Sequence, residues 1–164
     1  MRNFSRTCGV VAAAVFVAAA PSAVAEEATK NICQTVGPPG QPENLGDREG
    51  HGIVVVTAAC RVESGPLDGG VLTAQYIWEA DKTNGTMIFG GGVVRKAGAT
   101  VVYQYTEGKW AVTMADGKVT GITSSGKGRW PVASGSAASL AGKTFTWTSK
   151  TTGAGQYETV WTAD

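Results

Sequence analysis

Short runs of alternating apolar and polar residues fill the chain beyond its first fifty positions. Within residues 71–80, Tyr76 and Trp78 fall on one side of an extended strand, whereas Gln75 and Glu79 fall on the other. The runs are rich in β-branched and aromatic residues, and glycine-rich breaks separate them. This pattern predicts eight strands, at residues 53–62, 71–80, 86–96, 100–106, 109–114, 118–123, 143–149 and 156–162.

Eight short sequential strands predict an all-β fold, and we expect a single antiparallel up-and-down β-barrel, with a β-sandwich as the alternative. Two segments carry the turn residues of tight hairpins, Lys82-Thr83-Asn84-Gly85 and Ala115-Asp116-Gly117. Residues 134–140 are expected to form one short helical turn. A barrel of this size either packs its interior solidly or holds one small ligand.

The N-terminus has the pattern of a cleavable export signal over residues 1–25. Arg2 and Arg6 precede an apolar run at 9–20, and the small residues Ala23-Val24-Ala25 follow. We therefore expect an exported protein, periplasmic or secreted. A membrane-spanning strand needs about 9–11 residues, and several predicted strands are shorter, so we expect no stable membrane insertion after the signal is removed.

Residues 26–50 are polar and interrupted by glycine and proline, which disfavours a helix or a central strand. We interpret them as an extended N-terminal arm in front of a barrel domain at residues 51–164. Removal of the signal leaves two cysteines, Cys33 and Cys60. In an oxidising compartment we expect them to form a disulfide that ties the arm to the first strand.

Charge and composition exclude several classes of function. Residues 26–164 retain 12 of the 14 basic residues and all 13 acidic ones, a formal charge of −1. The basic residues are scattered, so no nucleic-acid partner is expected. Two cysteines and one histidine fall short of a zinc site, and no cofactor is expected. The glycine clusters at 90–92 and 126–128 precede no helical pattern, so bulges are favoured over phosphate loops.

Candidate site residues are the ionisable and aromatic side chains in or beside the strands. His51, the single histidine, and the carboxylates of Glu63 and Glu79 are the candidates for acid–base catalysis, although alternation directs Glu79 towards solvent. An arginine inside the barrel would be a polar anchor for a ligand. The ligand-contact candidates are Tyr76, Trp78, Tyr103 and Tyr105, with Arg61 and Arg129 as anchors. The remaining aromatic residues are expected mainly in the core.

An export signal followed by eight compact strands resembles the small secreted barrels of the lipocalin, avidin and allene-oxide-cyclase or dirigent type. The resemblance covers residues 51–164 and concerns architecture alone. The Gly-x-Trp motif of lipocalins is absent where the chain has Gly52-Ile53-Val54. The resemblance therefore implies a barrel and transfers no site residue.

These observations favour an exported barrel that binds a small apolar or amphipathic ligand, as a monomer or an oligomer. One alternative is a cofactor-free cyclase or isomerase on the same barrel, with a strand carboxylate and a tyrosine as acid and base. The other is a structural or interaction protein whose barrel interior is solid.

Overall fold

The computed structural model describes residues 28–37 and 42–164. The predicted export signal and the start of the predicted arm lie outside these residues. Nine strands and one 3-10 helix are found in the described part of the chain. The strands are β1 Thr29–Thr35, β2 Glu43–Asn44, β3 His51–Val62, β4 Val71–Asp81, β5 Asn84–Lys96, β6 Ala99–Ala115, β7 Lys118–Ala133, β8 Thr144–Gly153 and β9 Gln156–Ala163, with the 3-10 helix at Gly135–Leu140.

The strands form one closed antiparallel barrel of eight strands, with β2 as an additional short strand. Each strand from β3 to β8 pairs with the next strand in the chain, β9 pairs with β1, and β1 pairs with β3. Closure leaves no exposed sheet edge around most of the barrel. The predicted all-β barrel is therefore confirmed, and the sandwich alternative is wrong.

The barrel begins earlier than the predicted boundary at residue 51. Residues 29–35, assigned to the arm, form β1, which is paired on one side with β9 and on the other with β3. Its inward positions include two buried polar residues, Thr29 and Asn31, so the segment lacks apolar alternation. The predicted disulfide is present, and it joins Cys33 to Cys60 across β1 and β3.

Two strands are longer than expected, because glycine does not end them. The predicted strands at 100–106 and 109–114 are one continuous strand, β6, and β7 continues past residue 123 to Ala133. Gly108 and Gly126 face each other across this pair. A side chain on Gly126 would overlap the carbonyl oxygen of Glu107. Glycine therefore allows the two strands to approach closely at this point. These glycines lie inside the strands and do not mark their ends.

The turns agree with the sequence. Asp116 and Gly117 have φ angles of 51° and 72°, as the two central residues of a type I′ hairpin require. Lys82 occupies the left-handed region at φ 55° in the other predicted hairpin. The predicted helical turn is the 3-10 helix after β7. Both hairpins lie at the same end of the barrel.

The two ends of the barrel differ. At one end, here called the closed end, the β3–β4 loop and the 3-10 helix contribute the buried side chains of Leu67 and Leu140. The opposite end, called the open end, carries the β4–β5, β6–β7 and β8–β9 hairpins. The packed core lies towards the closed end and includes Val62, Val94, Val101, Tyr103, Trp130, Phe145 and Trp161. No helix in the described ranges is long and apolar enough to cross a membrane.

Candidate functional site

The barrel interior contains a pocket of about 400 Å³ that reaches the open end. Inward positions of seven barrel strands line it, together with Pro42. Its aromatic lining consists of Tyr76, Trp78, Tyr105, Trp110, Trp147 and Tyr157, and its aliphatic lining includes Val54, Val56, Val112 and Ile122. Polar side chains are contributed by Thr35, Ser124, Ser149, Thr151, Gln156 and Thr159.

The aromatic rings form a packed wall along one side of the pocket. Tyr105 stacks on Tyr76 with ring centroids 5.7 Å apart and on Trp147 with centroids 4.5 Å apart. The ring of Trp78 meets Trp147 edge to face, with centroids 6.3 Å apart. Because each ring supports the next, the wall presents rigid apolar surface to a ligand.

A small residue makes room for this wall. A Cβ atom on Gly108 would lie 2.9 Å from the ring of Trp147, closer than real Cβ contacts come. Gly108 therefore allows the indole to pack close to β6. The glycine that interrupts the apolar pattern of β6 thus makes room for part of the pocket wall.

Four tyrosines bring their hydroxyl groups together at the inner end of the pocket. The hydroxyls of Tyr76 and Tyr103 share a hydrogen bond of 3.3 Å, and the indole Nε1 of Trp161 donates to the Tyr105 hydroxyl at 2.9 Å. The Tyr157 hydroxyl is buried beside Tyr76 but makes no hydrogen bond of regular geometry with any described residue. The inner end of the pocket is thus polar, within an otherwise apolar interior.

Burial determines the protonation state of these tyrosines. Loss of hydration raises the pKa of Tyr76, Tyr103, Tyr105 and Tyr157 well above the ordinary tyrosine value, because it penalises the phenolate. All four therefore remain protonated at neutral pH. Each hydroxyl can donate one hydrogen bond.

The structure separates the predicted ligand-contact residues into two groups. Tyr76, Trp78 and Tyr105 line the pocket, and Tyr103 lies beneath it in the core. Both arginines are on the outer face, where Arg61 pairs with Glu63 and Arg129 donates to the Gln104 side chain. Neither arginine therefore lies in the interior pocket, because each is flanked by neighbours that point inwards.

The catalytic candidates also lie outside the pocket. Glu63 is next to β3 at the closed end, and Glu79 projects from the outer face of β4. His51 does meet Glu79, with 2.8 Å between Nε2 and Oε1, but on the outer face of the barrel, where His51 itself is buried. No carboxylate, imidazole or basic side chain is among the described residues that line the pocket.

His51 belongs to a charged cluster on the rim of the open end. Its Nδ1 lies 2.6 Å from the Asp47 carboxylate, and Arg48 pairs with Asp81 at 3.2 Å. Hydrogen bonds to Asp47 and then Glu79 raise the pKa of His51, while the bond to His51 lowers the pKa of Asp47. The cluster fastens the segment before β3 to β4.

Sequence reasoning missed three aromatic residues of the pocket lining, Trp110, Trp147 and Tyr157. Their alternation places them on an inner face, but alternation alone does not show which inward residues line the pocket and which are packed in the core. No group of three side chains able to hold a metal ion occurs in residues 28–37 and 42–164.

Comparison with protein-family models, with curated proteins and with solved structures finds no match to this chain.

Proposed function

We propose that this chain is an exported barrel protein that binds a small, uncharged, largely apolar ligand in the open-end pocket. The observation that carries the proposal is a 400 Å³ cavity lined by six aromatic side chains. A barrel whose role was purely structural would gain stability by filling this volume with side chains. The unfilled aromatic space therefore supports a binding role.

The size of the pocket favours a compact ligand. Small-molecule sites usually have volumes of about 300–1,000 Å³, which places this one near the lower limit. Flat aromatic walls favour a planar or cyclic apolar body. Within residues 28–37 and 42–164 no acidic or basic side chain lines the pocket, which disfavours a charged ligand, since burying an unpaired charge is costly.

The same lining argues against the cyclase or isomerase alternative. That mechanism requires a carboxylate inside the cavity, with its pKa adjusted by burial. Glu63 and Glu79 instead point away from the pocket and form ion pairs on the outer surface. Binding without chemistry requires no such group.

Export is supported by the Cys33–Cys60 disulfide, because such bonds persist in oxidising compartments. The basic, apolar and small-residue pattern of residues 1–25 supports it independently. Expression of the full chain in a Gram-negative bacterium tests the proposal. We expect periplasmic protein whose N-terminal residue is Glu26. Retention in the cytosol with Met1 in place would contradict it.

Titration with the neutral fluorophore N-phenylnaphthylamine tests ligand binding. We expect saturable enhancement of its emission together with quenching of tryptophan fluorescence. Ser149 lines the pocket, whereas the adjacent Thr148 faces outwards on the same strand. Ser149→Phe should abolish binding by filling the cavity, and Thr148→Phe is the matched control that should leave it intact. Non-saturable enhancement, or equal binding by both variants, would contradict the proposal.

A further inference from the structure

We propose that the ligand carries an uncharged hydrogen-bond acceptor, such as a carbonyl oxygen, that accepts a hydrogen bond from the Tyr157 hydroxyl at the inner end of the pocket. The inference rests on the proposed function, and it adds the chemical class and the orientation of the ligand. It predicts that the acceptor enters first and that the apolar body remains against the aromatic wall.

At the inner end of the pocket, the tyrosine hydroxyl protons outnumber the acceptors available to them. Four tyrosine hydroxyls each bring one proton, and the Tyr76–Tyr103 hydrogen bond uses one of them. Tyr105 accepts from Trp161, so this bond leaves the hydroxyl proton of Tyr105 unused. Three hydroxyl protons therefore lack an acceptor of regular geometry among the described residues.

Among these donors, the Tyr157 hydroxyl has the least satisfied hydrogen-bonding capacity. Its hydroxyl oxygen is enclosed beside Tyr76 and makes no hydrogen bond of regular geometry with any described residue, although its ring forms part of the pocket lining. A buried donor left without a well-aligned acceptor is energetically costly. An acceptor on the ligand would recover that cost on binding, whereas a pure hydrocarbon would not.

The acceptor is expected to be uncharged. The described residues that line the pocket include no arginine, lysine or histidine to pair with a carboxylate. Hydroxyl donors can stabilise an oxyanion, but the apolar rings around them provide no counter-charge, and removal of a carboxylate from water is expensive. A ketone, aldehyde, ester or amide oxygen satisfies the donors without this penalty.

The aromatic wall indicates what lies behind the acceptor. Trp78, Trp110 and Trp147 line the same pocket and bring large apolar ring surfaces to it. A fused aromatic or alicyclic carbonyl compound matches this combination of polar and apolar surface.

Three probes of nearly equal shape test the proposal: acetylnaphthalene, ethylnaphthalene and naphthoate. Their dissociation constants would be measured at neutral pH by tryptophan quenching and by calorimetry. One additional hydrogen bond is worth about 1 kcal/mol, so we expect acetylnaphthalene to bind roughly fivefold more tightly than ethylnaphthalene. Naphthoate should bind more weakly than either.

Tyr157→Phe should remove the preference for the ketone and leave the affinity for ethylnaphthalene unchanged. Thr148→Val is the matched control, because it deletes an exposed hydroxyl on the outer face of β8. This control should keep the fivefold preference. Circular dichroism would establish that both variants fold.

The infrared carbonyl stretch of bound acetylnaphthalene provides a direct second readout. Its frequency should fall on binding, relative to that in an apolar solvent, and the fall should diminish in Tyr157→Phe. If Tyr157→Phe does not fold, the stretch measured in the unaltered protein still decides, since an unshifted band would overturn the proposal.

The outcomes separate this inference from the proposed function. Equal affinity for acetylnaphthalene and ethylnaphthalene, or tightest binding of naphthoate, would overturn the inference while a binding pocket remained established. Failure of all three probes and of N-phenylnaphthylamine to bind would overturn both.

Discussion

Cys33 lies directly opposite Cys60 across the β1–β3 pair, with their Cα atoms 4.0 Å apart and a disulfide between them. This pair of strands closes the barrel. The segment between them holds the turn that carries Asp47 and Arg48 at the rim of the open end. The disulfide therefore secures both barrel closure and the base of that segment.

Replacement of both cysteines should destabilise the barrel. The loop between them spans 27 positions in sequence, for which loop-closure entropy predicts about 3.5 kcal/mol. We expect Cys33→Ser combined with Cys60→Ser to lower the free energy of unfolding by this amount in urea titrations. Unaltered protein measured after reduction is the control, and it should match the double variant. An unchanged unfolding midpoint would contradict the prediction.

Gly126→Ala should destabilise the barrel by about 1–3 kcal/mol, the usual cost of overpacking. The new methyl group would overlap the Glu107 carbonyl oxygen, which belongs to a paired strand and cannot move aside. Gly121→Ala on the same strand is the control, because its Cβ would lie 3.3 Å from the side chain of Thr151. Equal thermal stability of the two variants would show that the β6–β7 pair can separate.

Stability should depend on pH through the His51–Asp47 pair. The pKa of His51 is raised on folding, so its contribution is complete below its unfolded value of 6.5 and is lost as the pH rises through the folded value. The pKa of Asp47 is lowered, so its contribution is present above 3.8 and is lost as the pH falls through the folded value.

His51→Gln should therefore reduce the free energy of unfolding at roughly pH 5 and have a much smaller effect at roughly pH 9. Glu107→Gln is the control, because it removes an exposed ion pair, with Lys127, that contains no histidine. The effect of Glu107→Gln on the free energy of unfolding should be equal at the two pH values. A His51→Gln effect that did not change with pH would show that the histidine is neutral in the folded protein.

Asn31→Val should stabilise the protein by about 1 kcal/mol. The side chain is completely buried, its Oδ1 has no partner, and its one hydrogen bond, to the Thr159 carbonyl, is long at 3.4 Å. Valine also suits a strand. Thermal unfolding measures the effect, and a lower melting temperature would mean that Oδ1 is satisfied by bound water.

The alternation of side chains allowed much of the fold to be predicted. Tyr76, Trp78, Trp147 and Trp161 lie inside the barrel, as their spacing indicates. The same rule places Arg61 outside, next to the inward-facing Cys60, and stricter use of it would have excluded that residue from the pocket.

Other features depend on pairing and could not be predicted locally. Asn31 faces the barrel interior from β1, and no apolar pattern in the sequence indicates that this position is buried. Gly108 resembles a strand break in sequence, but the ring of Trp147 occupies the space that a side chain would need. The meeting of His51 with Glu79 requires the register of β3 against β4. Which end of the barrel is open could not be predicted either, because it depends on the loops that cover the opposite end.

Both the start of β1 and the end of β9 are at the closed end, where Thr29 pairs with Trp161 and the Asp164 amide donates to the Thr144 carbonyl. A protein attached to a bead, a sensor surface or a fusion partner through its last residue would consequently present its entrance outwards. Orientation on a support thus follows from the strand order alone, and a C-terminal tether should leave access to the interior unimpeded.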